Sequence, residues 1–355
     1  MLSVKNPIMT GFFPDPSICR VGNKFYTVHS TFAYFPGVPV FESEDLVHWN
    51  LISNVLDRDS QVPLSGCQHS EGIFAPTIRY HKGTWYMITT NVSDQGNFIV
   101  TAKDPRGPWS EPYYLGESTG GIDPSLFFDD DGTCYYIGQR PRSAGYRYNG
   151  DCEIWVQTLD LDTMQLKLDA TIVLTGFQRK AIWPEGPHLY KKDGYYYILH
   201  AESGTSIHHS VMVARSKNVF GPYEYCPCNP ILTHRHLGAQ YPVTCVGHAD
   251  LVDDGNGNWY MVVLACRPNQ GYTLLGRETF LAKVTWEDGW PVVNAGVGHL
   301  EEVVTLPYEG QISDDAPQCK TYTFDTPSLP PELLTLLSSR RGVSAGTSCE
   351  ISSSS

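Results

Sequence analysis

The segment DDGNGNWYMVV at residues 253–263 joins a turn of Gly, Asn and Asp directly to an aromatic and aliphatic run. Gly beside Asn or Asp accepts the positive φ that a tight hairpin needs, whereas Trp, Tyr and Val favour strands. The segment therefore predicts a hairpin whose second arm begins at Trp259. Four more aromatic runs follow similar turns, at 24–28 (KFYTV), 85–88 (WYMI), 135–137 (YYI) and 195–199 (YYYIL).

These five aromatic runs recur at a nearly constant distance. Measured between positions 26, 85, 135, 195 and 259, the spacings are 59, 50, 60 and 64 residues. Such a recurrence indicates a repeat architecture. A further strand pattern precedes each turn, and another follows the aromatic run, as at 40–49 and 210–216. Three to four strands per repeat make one blade, so the sequence predicts an all-β fold, a five-bladed β-propeller.

The strands that precede the turns open at corresponding positions. In a propeller the first strand of each blade lines the central channel, so the opening positions converge at one mouth. Asp before Pro is also a common turn initiator, which could explain two of them singly, but Glu and His are poor turn formers in the same register. The sequence predicts a polar central site made by the opening residues Asp15, Ala75, Asp123, Glu185 and His248.

Three carboxylates at one mouth are suited to glycoside hydrolysis. That reaction needs one protonated carboxyl to protonate the leaving oxygen and one ionised carboxylate to activate water or to attack the sugar. A third carboxylate raises the pKa of a neighbouring acid and keeps it protonated near neutral pH. Nearby aromatic residues, Phe32 and Phe74 among them, could form flat walls for a sugar ring, although most aromatic residues in proteins belong to the core.

Several motifs resemble glycoside hydrolase family 43, and its β-xylosidases in particular, over roughly residues 5–325. They are GFFPDPSI at 11–18, GGIDPSLF at 120–127, WPEGPHL at 183–189, GHAD at 247–250 and LGRET at 275–279. The resemblance implies a five-bladed propeller that hydrolyses β-1,4-xylosides at their non-reducing ends with inversion, and α-L-arabinofuranosides as an alternative or second substrate. It also implies that Asp15 is the general base, Glu185 the general acid, and Asp123 the residue that orients the acid and raises its pKa.

The resemblance implies further roles around the sugar. It implies that Arg277 contacts sugar hydroxyls and that His248 lies beneath the sugar on the propeller axis. Phe74 stands where related enzymes usually have Trp, which keeps an apolar wall but removes the indole N–H. No cofactor is required for such a reaction, and a structural calcium ion near His248 stays an option. Histidines at 208–209 and 234–236 are expected in exposed loops instead of a metal site.

The composition restricts the partners. With 25 Lys and Arg against 38 Asp and Glu, the net charge is −13, which disfavours nucleic acid and anionic membranes. We expect a small oligosaccharide as the ligand, with a homo-oligomer left open. The 10 cysteines show no Cys-x-x-Cys spacing, and no signal-peptide pattern or long apolar run is present, so a soluble cytoplasmic protein is expected.

The C-terminal part departs from the family pattern. Residues 326–355 are predicted to be linker-like and disordered, because the last 18 are rich in Ser and aperiodic. The stretch 327–336 resembles the start of the β-sandwich domain that follows the propeller in related β-xylosidases, and that domain is expected to be lacking. Two rival functions remain: a retaining fructosidase, which would need a different motif around Asp15, and a sugar-binding propeller that has lost activity.

Overall fold

The computed structural model describes residues 1–116, 120–176, 179–309, 322 and 330–337. In these residues the secondary structure is β-strand without any α-helix. The first strands in chain order are β1 (Leu2–Lys5), β2 (Ser17–Val21), β3 (Lys24–Val28), β4 (Tyr34–Phe35), β5 (Gly37–Ser43), β6 (Asn50–Leu56), β7 (Thr77–His81), β8 (Thr84–Asn91), β9 (Gly96–Ala102) and β10 (Tyr113–Tyr114). The next are β11 (Ile122–Phe128), β12 (Cys134–Pro141), β13 (Cys152–Asp160), β14 (Gln165–Thr175), β15 (Glu185–Lys192), β16 (Tyr195–Glu202), β17 (Ser210–Ser216) and β18 (Glu224–Tyr225). The last are β19 (Thr244–Asp253), β20 (Trp259–Cys266), β21 (Glu278–Glu287), β22 (Trp290–Val293), β23 (Val303–Leu306) and β24 (Thr335–Leu336).

Twenty of these strands form five four-stranded antiparallel sheets. Blade I has the order β2-β3-β5-β6, and blades II to V are β7 to β10, β11 to β14, β15 to β18 and β19 to β22. The aromatic run of each repeat is the second strand of its blade, as the sequence predicts. At the β7–β8 turn, Lys82 and Gly83 have φ values of 46° and 81°, the pair of positive values that a type I′ hairpin requires. The prediction of an all-β, five-bladed propeller is confirmed.

The core lies mainly between neighbouring blades, because each blade buries both of its faces. Tyr26 of blade I meets Trp85 of blade II edge to face, with ring centroids 4.6 Å apart. Within blade III, Tyr136 and Trp155 are fully buried, with their centroids 4.7 Å apart. Large aromatic residues of the second strands thus contribute to packing both between blades and within a blade.

The ring is closed by contacts between its first and last parts. Strand β1 pairs with β23, which follows blade V, in the register Leu2 with Leu306 through Lys5 with Val303. The segment before blade I also joins blade V through backbone hydrogen bonds, from Met9 N to Thr279 O at 3.2 Å and from Phe13 N to Arg277 O at 3.0 Å.

Asp250 of blade V supplies the main axial link. Its Oδ2 accepts hydrogen bonds from Ser17 Oγ at 2.9 Å and Ile18 N at 3.0 Å, both in blade I. Arg79 of blade II donates to Oδ2 at 3.0 Å, and Tyr190 of blade IV donates to Oδ1 at 2.5 Å. One wholly buried carboxylate therefore joins four of the five blades.

We expect Asp250→Ala to lower the free energy of unfolding by about 3–5 kcal/mol, because it leaves the Arg79 guanidinium buried without its counter-charge. Urea denaturation measures the change. Asp253→Ala is the matched control, since Asp253 lies on the same strand and pairs with Arg20 at the surface, where an ion pair contributes about 1 kcal/mol or less. Equal losses in the two variants would contradict the proposed role of the axial link.

Part of the C-terminal segment lies against blade I. Strand β24 pairs with β4, Thr335 with Phe35 and Leu336 with Tyr34. Leu337 N donates to Ala33 O at 2.8 Å, next to Phe32. Residues 330–337 belong to the segment predicted to be linker-like, and within them Thr335 and Leu336 form the short strand β24. The predicted boundary at 325 and the predicted disorder after 337 lie outside the described residues.

Candidate active site

The predicted opening residues lie on or just before the innermost strands: Asp15 and Ala75 precede β2 and β7 by two residues, Asp123 and Glu185 lie at the starts of β11 and β15, and His248 lies within β19. Asp15, Asp123 and His248 have φ values of 53°, 55° and 53°, and Gly186, directly after Glu185, has 57°. The register with the second strand shifts beside Asp123, Glu185 and His248. Left-handed residues and bulges of this kind cost energy and redirect side chains, and they occur at functional sites. Ala75, the opening residue of blade II, lacks both features.

Asp15 is buried and is held by three groups. Its Oδ2 accepts a hydrogen bond from Ser30 Oγ at 2.5 Å, and its Oδ1 accepts one from Arg277 Nη1 at 2.9 Å. The Nδ1 atom of His248 lies 3.7 Å from the same Oδ1. This carboxylate therefore has cationic or donating neighbours on two sides, one from blade I and two from blade V.

Gly186 brings the other two carboxylates close to His248. Its N–H donates to Asp123 Oδ2 at 3.1 Å, which joins Asp123 to the start of β15. A Cβ atom at this position would lie 2.9 Å from His248 Nε2, so only glycine allows the imidazole to pack here. The glycine that follows Glu185 thus fixes how Asp123, Glu185 and His248 approach one another.

A row of aromatic rings forms one wall of the mouth. Phe32 lies between Phe12 and Phe74, with centroid distances of 5.9 and 5.3 Å. The guanidinium carbon of Arg277 lies 4.8 Å from the Phe32 ring centroid. Each of these side chains is partly exposed, and the arrangement offers an apolar face beside the Asp15 carboxylate.

The sequence of the chain matches one known protein family. The model described as Glycosyl hydrolases family 43 matches residues 4–291. The chain belongs to glycosyl hydrolase family 43.

Members of family 43 with known names resemble the chain over most of its length. A xylosidase/arabinosidase of Butyrivibrio fibrisolvens is 66% identical over 307 residues, which are 86% of this chain and 59% of that protein. A non-reducing end alpha-L-arabinofuranosidase of Bacteroides ovatus is 46% identical over 309 residues, 85% of this chain and 55% of that protein. The crystal structure of a xylan beta-1,4-xylosidase from Bacillus halodurans is 40% identical with a TM-score of 0.83, covering 94% of this chain and 64% of that one. The chain spans less than two thirds of each of these relatives.

The three carboxyl groups of this family 43 chain differ in their electrostatic surroundings. Burial raises the pKa of Asp15, but Arg277, His248 and the Ser30 hydroxyl outweigh it and bring the pKa below its usual value. Burial, reinforced by the charges of Asp123 and Asp15, raises the pKa of Glu185 well above its usual value. Near neutral pH the site therefore combines one ionised carboxylate with one carboxyl that tends to stay protonated.

Asp123 is the third carboxyl group of the site, and it is buried. Burial, together with the charge of Asp15, raises its pKa to about 6, although His248 and the Gly186 N–H favour its ionised form. Above that pH its negative charge acts directly on Glu185.

The structure places two groups at the site that the sequence prediction did not include. Ser30 follows β3 and holds the second oxygen of Asp15, and a serine after a strand gives no sequence signal of such a role. His209 was expected in an exposed loop, and that prediction is wrong: only 1% of it is exposed. It packs beneath Gly247, where a Cβ would lie 2.4 Å from its ring, and its Nδ1 lies 3.0 Å from Cys245 O. The backbone carbonyl pairs one ring nitrogen, whereas Nε2 is buried without a hydrogen-bond partner among the described residues.

The loop containing His234 was also expected to be exposed, and for His234 that is wrong. Its Nδ1 lies 2.8 Å from Val243 O, and its Nε2 accepts a hydrogen bond from Leu300 N at 2.9 Å. Both ring nitrogens are occupied by backbone groups, so this buried histidine has a structural role.

The suggested metal role of His248 stays a prediction. Within the described ranges, no group of three or more His, Cys, Asp or Glu side chains is arranged to hold a metal ion. His248 would offer a single nitrogen, whereas Ca²⁺ takes six to eight ligands, mostly oxygen. An axial calcium ion would therefore need most of its ligands from water. None of the described residues forms a helix long and apolar enough to cross a membrane.

Proposed function

We propose that the chain is an inverting glycosidase that releases xylose from the non-reducing ends of β-1,4-xylo-oligosaccharides. The observation that carries this proposal is the pair of opposite pKa shifts, down at Asp15 and up at Glu185, at one mouth of the propeller. An inverting glycosidase needs this combination, since one carboxyl must give a proton while the other receives one.

In the proposed mechanism Asp15 is the general base and Glu185 the general acid. Asp15 accepts a proton from a water that attacks the anomeric carbon, and Glu185 gives its proton to the glycosidic oxygen as the bond to the leaving group breaks. Arg277 keeps Asp15 ionised and is placed to contact sugar hydroxyls, while Phe32 and Phe74 form the wall against the ring. Asp123 accepts a hydrogen bond from Gly186 N. Together with burial, its negative charge keeps the pKa of Glu185 high.

An α-L-arabinofuranoside is the second candidate substrate. The names of the two relatives from Butyrivibrio fibrisolvens and Bacteroides ovatus favour it, because each includes arabinosidase or arabinofuranosidase. A sugar-binding propeller without activity is the alternative of another class, and it would bind xylose without turning over a xyloside.

Proton NMR of xylobiose hydrolysis by the purified chain tests the proposal. We expect α-xylose to appear first at the newly cleaved end and to mutarotate afterwards. The second activity is measured as the release of nitrophenol from 4-nitrophenyl α-L-arabinofuranoside. Its kcat/KM is compared with the kcat/KM for the corresponding β-xyloside. The β-anomer as first product would contradict inversion, and the absence of turnover on both substrates would favour the sugar-binding alternative.

The pH dependence of kcat/KM should report the acid and the base separately. Activity requires protonated Glu185, so it falls as pH rises through the raised pKa of that residue. Asp123→Asn removes a negative charge that raises this pKa, and we therefore expect the alkaline limb to move to lower pH. The acidic limb, set by the lowered pKa of Asp15, should move less.

A pH series on a chromogenic xyloside, with wild type and Asp123→Asn side by side, makes the measurement. Asp129→Asn is a suitable control, because that buried aspartate pairs with Lys191 away from the mouth. An alkaline limb that stays in place or moves to higher pH in Asp123→Asn would contradict the role given to Asp123.

The domain organisation, the cofactor requirement, the location and the oligomeric state of the chain are also proposals or predictions. We propose that the propeller, residues 1–325, is the catalytic domain and that the reaction requires no cofactor, since both proton transfers are assigned to carboxyl groups. A cytoplasmic location and a homo-oligomer remain predictions.

A further inference from the structure

Two cysteines of blade V lie side by side on neighbouring strands. Cys245 is the second residue of β19, and Cys266 is the last residue of β20. Thr244, the residue before Cys245, is the register partner of Cys266, and a hydrogen bond joins the two thiols. Both cysteines are free thiols, and the proposed mechanism uses neither of them.

The backbone of β19 is distorted in the way that brings these thiols together. Successive side chains of a regular strand point to opposite faces, so the residue after Thr244 would face away from Cys266. Cys245 has a φ of 58°, and the register with β20 shifts between Thr244 and Gly247. A left-handed conformation costs energy for any residue other than glycine and is retained mainly where it serves a function. Here it places the Cys245 thiol on the side of Cys266.

The two thiols differ in access and in acidity. Cys245 is partly exposed, whereas Cys266 is buried. The hydrogen bond from Cys266 outweighs partial burial and lowers the pKa of Cys245, and the Thr244 hydroxyl, 3.7 Å from the Cys245 sulfur, acts in the same direction. The same thiol–thiol hydrogen bond, together with burial, raises the pKa of Cys266. An accessible thiolate with a second thiol beside it is the arrangement that reacts with disulfides.

The segment that carries Cys245 also holds the active site. The Cys245 carbonyl oxygen lies 3.0 Å from Nδ1 of buried His209, which packs beneath Gly247. His248 follows three residues after Cys245, and its Nδ1 lies 3.7 Å from Asp15 Oδ1. Because protein interiors are close-packed, a displacement of Cys245 is passed along this short segment to His248.

We propose that Cys245 and Cys266 form a modification site for low-molecular-weight disulfides such as glutathione disulfide, and that its oxidation to an intramolecular disulfide lowers turnover. The site goes beyond the proposed function and rests on it only for the measurement of turnover. Inside cells, disulfides that form reversibly are typically catalytic or redox-sensing.

The reaction takes place by two thiol–disulfide exchanges. The Cys245 thiolate attacks one sulfur of glutathione disulfide and releases the first glutathione. Cys266 then loses its proton, and its sulfur attacks the Cys245 sulfur and releases the second glutathione. The two protein thiols are oxidised, glutathione disulfide is reduced to two glutathiones, and these take up the two protons.

The disulfide should reduce activity by moving the start of β19. It requires Cβ atoms about 3.5–4.5 Å apart, so it fixes Cys245 against the end of β20. A misplacement of about 1 Å near reacting groups can cost about 10²-fold in rate. We expect kcat/KM on 4-nitrophenyl β-xyloside to fall by about 10-fold, because His248 beside the proposed base is displaced and not lost.

Peptide mapping by mass spectrometry tests the proposal. The purified chain is treated with glutathione disulfide, its remaining thiols are alkylated, and it is digested and assayed in parallel. In the wild type we expect the peptides of Cys245 and Cys266 to be linked, and dithiothreitol to restore both the free thiols and the activity. Cys266→Ala should instead carry one glutathione on Cys245. Cys245→Ala should leave Cys266 unmodified and keep its activity through the treatment.

Cys228→Ser is the matched control, since it removes an exposed thiol outside this pair and should respond to the treatment as the wild type does. If a variant fails to fold, the wild-type map and its reversal by dithiothreitol still decide. Unlinked peptides in the treated wild type, a linked pair with unchanged turnover, or equal inactivation of Cys245→Ala would overturn the inference. No turnover by the reduced wild type would contradict the proposed function, whereas the peptide map would still decide whether the dithiol site exists.

Discussion

Glu185→Ala should lower kcat on xylobiose by about 10⁴-fold, because the departing sugar then leaves as an alkoxide without a proton. The loss should depend on the leaving group. On 2,4-dinitrophenyl β-xyloside, whose phenolate needs no protonation, we expect a loss of less than about 10²-fold. Stopped assays with both substrates measure the two values on the same preparation.

The control for this variant is Glu224→Ala, which removes an exposed glutamate of the same blade that pairs with Arg215. Its rates should match the wild type on both substrates. A Glu185→Ala variant with equal losses on xylobiose and on the dinitrophenyl xyloside would show that Glu185 is not the acid. The pH profile of the variant gives a second reading, since its alkaline limb on the activated substrate should disappear.

Asp15→Ala should lower kcat by about 10⁴-fold or more on every xyloside, whatever the leaving group. The reason is that water activation is needed in each case, and that removal of Asp15 also leaves Arg277 and His248 without the carboxylate between them. Added azide should restore part of the rate on the dinitrophenyl xyloside, because it can enter the space of the lost side chain and needs no base.

The product of that reaction identifies the role of Asp15. If azide attacks from the side of Asp15, inversion gives α-xylosyl azide, which proton NMR distinguishes from the β-anomer. Ser30→Ala is the comparison variant, since it removes only the hydrogen bond to Oδ2 and should cost far less than Asp15→Ala. Recovery of β-xylosyl azide, or near-normal turnover without azide, would contradict the assignment of Asp15 as the base.

The blades could be predicted from the sequence because each is built from local signals. A turn such as 253–257 and the aromatic run after it are adjacent in the chain, so the hairpin is visible without any long-range information. The opening residues followed from the same alignment, which is why Asp15, Asp123, Glu185 and His248 could be named together. These residues lie close together because equivalent positions of all blades meet at the axis of a propeller.

The features that were missed depend on contacts between distant parts of the chain. Asp250 binds Ser17 and Arg79, which lie 233 and 171 residues away, and no local pattern distinguishes this aspartate from one in a turn. His209 was misplaced for the same reason, since its burial follows from Gly247 on another strand.

The closure of the ring determines whether the protein loses its activity or its β-structure first when it unfolds. Each blade is continuous in sequence and its contacts are short-range, whereas the seam between blades V and I joins residues more than 230 positions apart. The ion pair between Asp15 and Arg277 crosses this same seam, with 262 positions between its partners. Because the contacts of the seam close the longest stretch of chain, their opening releases more chain entropy than the opening of contacts within one blade. Opening there separates the proposed base from its counter-charge while the five blades stay folded, so catalysis should fail before the β-structure melts.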